Sequence, residues 1–269
     1  MLGVTLTSMQ ADTPAVTSAL RITGLRVTYG PVVAVDGIDL EVRQGEIYGL
    51  LGPNGAGKTS ALSAIEGLLR PTAGDIVIGD IDARSHQMQA KARLGVQLQA
   101  TSFHPNLTLL ELVRLFAGLY GVTLSAAQIG ELLEEVNLQQ AASKPFRELS
   151  GGQQQRFSLL IATIHDPALV LLDEPTAGLD PQARRQLWDR IERFREEGRS
   201  ILLTTHSMEE AQAVCARVAI MDHGKILTVG TPAGLIATHR DDPQVRQAAH
   251  GDVTLEDVFI GLTGQALRD

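Results

Sequence analysis

The stretch Gly52-Pro53-Asn54-Gly55-Ala56-Gly57-Lys58-Thr59 constrains this chain more than any other. It satisfies G-x-x-x-x-G-K-[ST], a phosphate-binding loop, and its flanks supply the context such a loop needs. The apolar run Ile47-Tyr48-Gly49-Leu50-Leu51 reads as a buried strand leading in. Thr59 to Leu69 reads as a helix leading out, with Leu62, Ile65 and Leu69 at helical spacing. A strand, a glycine-rich turn and a helix start aim several backbone N–H groups at one point, and the helix dipole adds to the attraction for an anion. Glycine lets the backbone come close to phosphate with no Cβ in the way. Lys58 adds a point charge for the β/γ oxygens, and the Thr59 hydroxyl can hold Mg²⁺. Ser60 follows in the same first helical turn, so residues 52–60 form one candidate nucleotide site.

With 269 residues the chain has ample length for a substantial core. Its apolar share of 44% and charged share of 20% are those of an ordinary globular protein, not a disordered one. A net charge of -8 argues against binding driven by a nucleic-acid backbone. The single cysteine, Cys215, has no partner for an internal disulfide, which points to a reducing compartment; its helical context reads as buried filler. No apolar run approaches the roughly 18 residues that would span a bilayer. Residues 1–20 carry no Lys or Arg, which argues against a signal peptide. They read as a disordered tail, with Met1 and Met9 both candidate starts.

Along the chain, Ile38, Leu40 and Val42 alternate with Asp39 and Glu41, as in a half-buried antiparallel strand. Residues 94–98 read as a core strand. The pattern then turns helical from about Asn106 to His165, with Leu109, Leu112, Phe116 and Leu119 at helical spacing, then Ile129, Leu132, Leu133 and Val136. A second α/β stretch follows: a buried strand from Ala168 to Leu172, a helix begun by Pro181 and stopped by Gly198, and a strand over Ile201 to Thr204. The polar stretch 238–253 reads as a linker. Thr254-Leu255-Glu256-Asp257 resembles a capping box opening a last helix, over 254–269, that Gly264 ends. The expected fold is α/β: a P-loop NTPase core over 21–237, with an N-terminal antiparallel β-subdomain and a helical subdomain inserted at about 100–165.

A second motif narrows the chemistry. Val170-Leu171-Leu172-Asp173-Glu174 is an apolar strand ending in two carboxylates. Asp173 is placed to hold the metal, and Glu174 to orient and deprotonate an attacking water. No N-K-x-D motif for reading guanine is present. A third motif, Leu149-Ser150-Gly151-Gly152-Gln153 followed by Gln154-Gln155-Arg156, matches the signature sequence of ABC-type ATPases. With it, the chain resembles the nucleotide-binding subunit of an ABC transporter from about residue 21 to 230.

That resemblance implies roles residue by residue. Tyr29 matches the aromatic that stacks on adenine. Gln99 matches the glutamine that touches Mg²⁺ and the water at the hinge into the helical subdomain, with Gln97 the competing choice. Gly178-Leu179-Asp180 matches the loop that crosses to the partner subunit, and His206 the histidine that contacts the γ-phosphate. Ser150 and the amides of Gly151 and Gly152 precede a helix starting near Gln153, and together they form a second anion site. In the family this site faces the ATP held by the other subunit, so two chains pack head to tail around two ATP molecules. The partners implied are a second copy or a homologous ATP-binding subunit, and an integral membrane permease, with no nucleic acid. The location implied is the cytoplasmic face of the cell membrane. Phe103, Leu115, Phe116 and Tyr120 are candidate contacts for the permease.

The segment Leu98 to Thr108 and the ending Leu255-Glu256-Asp257-Val258-Phe259 are similar to subunits of drug-, lipid- or polysaccharide-exporting systems. The alternatives are an ABC ATPase acting on the ribosome or on DNA, and a P-loop kinase. Translation-type members carry two cassettes per chain, where this chain has one, and chromosome-type members split theirs with coiled coils or zinc motifs. The signature and His206 argue against a kinase. The cargo is not readable, because the membrane subunit selects it.

Overall fold

The computed structural model describes residues 18–97 and 102–264. Ten strands and ten α-helices are assigned among them. The first sheet is built from β1 (Ser18–Tyr29), β2 (Val32–Arg43), β4 (Ala73–Ile78) and β5 (Ile81–Asp82), antiparallel throughout, in the order β2-β1-β4-β5. The second contains β3 (Ile47–Leu51), β6 (Leu94–Val96), β7 (Leu169–Asp173), β8 (Ser200–Thr205), β9 (Arg217–Asp222) and β10 (Lys225–Gly230). Its order is β10-β9-β3-β8-β7-β6, parallel except for the edge strand β10.

Period-2 alternation explains the layering. In β3, β7 and β8, Tyr48, Leu50, Leu169, Leu171 and Leu202 face one way, toward the antiparallel sheet and α1 (Lys58–Ile65). Ile47, Leu51, Val170, Leu172, Ile201 and Leu203 face the other way, toward α6 (Pro181–Glu196), α7 (Met208–Val214) and the C-terminal helix. A strand covered on both faces needs apolar residues at every position, which is why β3 is buried throughout. The β2 strand has one wet face, and its Ile38, Leu40 and Val42 are buried while Asp39 and Glu41 are exposed.

The helical region holds α3 (Leu109–Leu119), α4 (Ala126–Glu135) and α5 (Gly151–Thr163) around a core of its own. Thr108, Ser125 and Ser150 cap these three helices, each with a capping box closed by Glu111, Gln128 and Gln153. Each box satisfies two backbone donors that a helix start would otherwise leave unpaired, worth about 1 kcal/mol. Phe103 is only 4% exposed and packs on Phe116, Phe146 and Phe157, with ring centroids 5.4, 4.8 and 5.3 Å away. It is therefore a core residue of this lobe rather than a surface contact, whereas Leu115 and Tyr120 are exposed.

Three boundaries differ from the sequence reading. Ser18 to Leu20, placed in the tail, begin β1, because Leu20 pairs with both Val42 and Ile78 and is fully buried. The first helix after the loop ends at Ile65, so Leu69 lies beyond it. The stretch 238–253, read as a linker, contains α9 (Pro243–Ala248), which follows α8 (Pro232–His239). Val245 of α9 is fully buried against α10 (Leu255–Thr263), and a Cβ at Gly261 would lie 2.6 Å from its Cγ2. The remainder of the tail, residues 1–17, lies outside the described residues.

Candidate functional site

The three parallel strands β3, β8 and β7 are neighbours, and each ends on or directly before a residue the sequence singled out: Gly52, His206 and Asp173. Leu51 is paired with Thr205, and Asp173 with Thr204. The loop at 52–57, His206 and the Asp173-Glu174 pair therefore leave the carboxyl edge of the sheet side by side, where open α/β sheets bind ligands.

Close packing shapes the loop. A Cβ on Gly52 would come 2.4 Å from the Met221 carbonyl oxygen, and one on Gly57 would come 2.2 Å from the Ala34 oxygen. Gly57 also has φ 106°, a left-handed value that glycine adopts without strain. Gly55 has φ 85°, while Pro53, Asn54 and Ala56 complete the turn, with Ala56 N donating to the Pro53 oxygen at 3.1 Å. Lys58 is 5% exposed and folds back over this turn, its Nζ donating to the oxygens of Gly52 at 2.7 Å and Pro53 at 3.2 Å. The same ammonium lies 3.5 Å from Glu174 Oε1. Burial pushes Lys58 below its ordinary pKa, and the Glu174 and Asp173 charges oppose that shift.

Glu174 joins both sides of the site. Its Oε1 faces Lys58, and its Oε2 lies 3.3 Å from His206 Nδ1. Its backbone is left-handed, φ 46°, an uncommon conformation for a non-glycine residue. The backbone is held there by two bonds from Glu174 N, to the Thr204 oxygen at 3.2 Å and to Thr204 Oγ1 at 3.0 Å. The Thr204 hydroxyl in turn donates to Asp173 Oδ1 at 2.5 Å. Thr204 thus holds the Asp173 carboxylate and the Glu174 backbone, a role sequence reasoning missed. Its signal was present: a Thr-Thr pair follows directly on the apolar run Ile201-Leu202-Leu203.

Thr59 Oγ1 donates to Asp173 Oδ2 at 3.3 Å. A hydroxyl and a carboxylate side by side form an oxygen-donor pair suited to a small hard cation that keeps waters and phosphate oxygens as its other ligands. Among the described residues no cluster of three or more His, Cys, Asp or Glu could cage a metal on its own. Tyr29 ends β1 beside this helix start, half exposed, with its hydroxyl 3.4 Å from Ser60 Oγ. Its ring is thus available beside the loop. Gln99 lies outside the described residues. Gln97 is described: its N–H donates to the Leu171 oxygen at 3.0 Å, and its buried Oε1 has no hydrogen-bond partner among the described residues.

The signature residues are elsewhere on the chain. Ser150, Gly151 and Gly152 line an open groove of about 380 Å³ with Gly178, Leu179 and Asp180, and none of the loop residues 52–60 lines it. Ser150 caps α5, its Oγ accepting from Gln153 N at 3.4 Å while Gln153 Oε1 accepts from Ser150 N at 2.9 Å. Asp180 caps α6 by accepting from Gln182 N and Ala183 N. The Ser150 helix start and the loop at 52–60 therefore lie on separate surfaces of one chain.

Residues 35–177 match the ABC transporter family. The chain belongs to that family. It is similar to the "Nod factor export ATP-binding protein I" of Cupriavidus metallidurans, 35% identical over 94% of this chain and 100% of the relative. It is 41% identical to the protein of that name from Ralstonia nicotianae, over 83% of this chain and 70% of the relative. A solved ATP-binding subunit of an ABC transporter superposes with a TM-score of 0.78 at 27% identity, covering 91% of this chain and 99% of that one. A bacterial ABC transporter cassette solved as a dimer gives a TM-score of 0.71 at 25% identity, covering 79% and 98%. This ABC chain binds and hydrolyses ATP as the energising subunit of a transporter.

Proposed function

We propose that this ABC subunit drives export of a substrate through a separate integral membrane permease, working at the cytoplasmic face of the membrane as a head-to-tail pair. The observation that carries the pairing is the separation of the two anion surfaces: Lys58 and Glu174 share one, and Ser150 lies in another groove. A second chain facing the first brings its Ser150-Gly151-Gly152 turn to the γ-phosphate held at residues 52–60. Export is supported by the names of the relatives, which also disfavour action on the ribosome or DNA. Among the described residues no helix is long and apolar enough to cross a membrane, in keeping with passage through another polypeptide.

In this reading Tyr29 stacks on the adenine ring, and the backbone N–H groups of residues 52–60 with Lys58 hold the phosphates. Thr59, Asp173 and Gln99 would hold Mg²⁺, which when bound neutralises charge on the β- and γ-phosphate oxygens. Glu174 orients a water and takes its proton as the water oxygen bonds to the γ-phosphorus and the bond to ADP breaks. His206 keeps Glu174 aligned and contacts the γ-phosphate. Loss of that phosphate removes the charge bridging two chains, so ATP favours the closed pair and ADP the open one. The test is purification of the tagged chain from native membranes. Recovery of an integral membrane protein whose presence raises ATP turnover supports the proposal, and turnover with no such partner in any membrane fraction contradicts it.

A further inference from the structure

The helical lobe meets α6 along a polar seam. Ala183, Gln186 and Arg190 fall at helical spacing on α6, so they share one face. At the first of them two helices nearly touch: a Cβ on Gly152 of α5 would lie 3.6 Å from the Ala183 Cβ. At the second, Arg156 of α5 donates from Nη1 to Gln186 Oε1 at 3.3 Å, and its Nε donates to the Val136 oxygen at 3.0 Å. At the third, Arg190 Nη2 donates to Oε2 of Glu135, the last residue of α4, at 2.9 Å. A cavity of about 100 Å³ lies along the seam, with Val136, Arg156, Gln186 and Arg190 in its wall.

Apolar packing does not fix this joint. Leu187, Ile191 and Phe194 of α6 belong to the core beneath the parallel sheet, and no residue of α6 enters the core of the helical lobe. Arg190 is anchored on its own helix, with its guanidinium carbon 4.6 Å from the centroid of the buried Phe194 ring. Its side chain is 14% exposed, whereas that of Glu135 is half exposed. An ion pair with one member in solvent adds little to stability. What it supplies is alignment, because it ties the end of α4 to a cation seated on α6. Ser150 caps α5 in the lobe and Asp180 caps α6, so the angle between lobe and α6 sets how these two residues face each other across their shared groove.

We propose that the Arg190–Glu135 pair positions the signature turn: it holds the helical lobe against α6 and so sets Ser150 for the ATP bound by the other chain. Both are positioning residues, since neither lines the Ser150 groove, and both act through Ser150. This rests on the reading that Ser150 completes the partner's site.

The test is ATP turnover in mixtures of full-length variants. A Ser150→Arg chain paired with a Lys58→Ala chain forms one whole site, with Lys58 from the first and Ser150 from the second. Arg190→Ala added to the Lys58→Ala chain, which supplies Ser150, should lower the recovered turnover about tenfold, the scale on which a small misplacement costs rate. Arg190→Ala added to the Ser150→Arg chain acts on a turn already disabled and should cost far less. A merely structural role would cost the same in either chain. Glu135→Ala in the Ser150-supplying chain should match Arg190→Ala there, and the two together should slow turnover no further than either alone. Glu135 is half exposed, so its variant carries the test if Arg190→Ala does not fold. Equal losses from the two placements, no loss from either, or losses that multiply in the double variant would overturn this inference and leave the paired site standing. No recovery in a mixture that forms pairs and keeps both Arg190 and Glu135 would remove the paired-site reading and this inference with it.

Discussion

Lys58 Nζ and Glu174 Oε1 stand 3.5 Å apart, so the proposed phosphate-binding cation and the proposed base are partners before either meets a substrate. An incoming γ-phosphate competes with Glu174 for Lys58. Once Lys58 turns to the phosphate, the Glu174 carboxylate is released from that contact and is free to meet a water. Nucleotide binding and base activation are thereby linked through one side chain.

Lys58→Ala removes the only buried cation at the turn among the described residues. Nucleotide affinity should fall by about tenfold or more, measured by equilibrium binding of a fluorescent ATP analogue. Unchanged affinity would contradict the loop assignment.

Glu174→Gln keeps the shape of the side chain and removes the base. Turnover should fall about a hundredfold or more while ATP still binds, and ATP-loaded pairs should accumulate on size-exclusion chromatography. Turnover that survives this change would mean another group takes the proton.

Thr204→Val deletes the hydroxyl that serves Asp173 Oδ1 and Glu174 N together. The expected cost is about 1–3 kcal/mol of stability, from the buried polar groups it leaves short of a partner. Turnover should also fall about tenfold through misalignment of the Asp173 carboxylate and the Glu174 backbone. Chemical denaturation and steady-state kinetics check the two effects separately.

Much of this site was legible because its pieces are local. The strand, glycine turn and helix at 47–65 are one continuous segment, and so is the signature run at 149–156. The contribution of Thr204 was hidden because it acts across the sheet, on Asp173, 31 positions away. The helix Pro243–Ala248 was hidden for a similar reason: six residues carry little periodicity, and Val245 is buried only because Gly261 admits it.

Glu66, at the end of α1, gives a pH-dependent prediction. Burial, with help from the Asp173 charge, pushes its carboxyl up to about 7 from an ordinary 4.5. The folded chain thus holds this proton more tightly than the unfolded one. The associated stability is complete below the unfolded pKa and is lost as pH rises through about 7. Melting temperature should therefore fall between about pH 5 and 8, and Glu66→Gln should flatten that fall and be the more stable form at the alkaline end. A Gln variant with the wild-type slope would assign the pH dependence to other groups.

The central claim is that Lys58 of one chain and Ser150 of another complete a single hydrolytic site. Ser150→Arg should leave ATP binding by the single chain intact and block hydrolysis, and Lys58→Ala should be inactive through the opposite face. Mixing the two inactive variants is the most direct measurement, because a mixed pair contains one site with both residues intact. ATP turnover should then recover to as much as about one quarter of the native rate, since about half the pairs are mixed and one site in each is whole. No recovery in a mixture whose variants demonstrably pair, or full turnover by Ser150→Arg alone, would contradict the account.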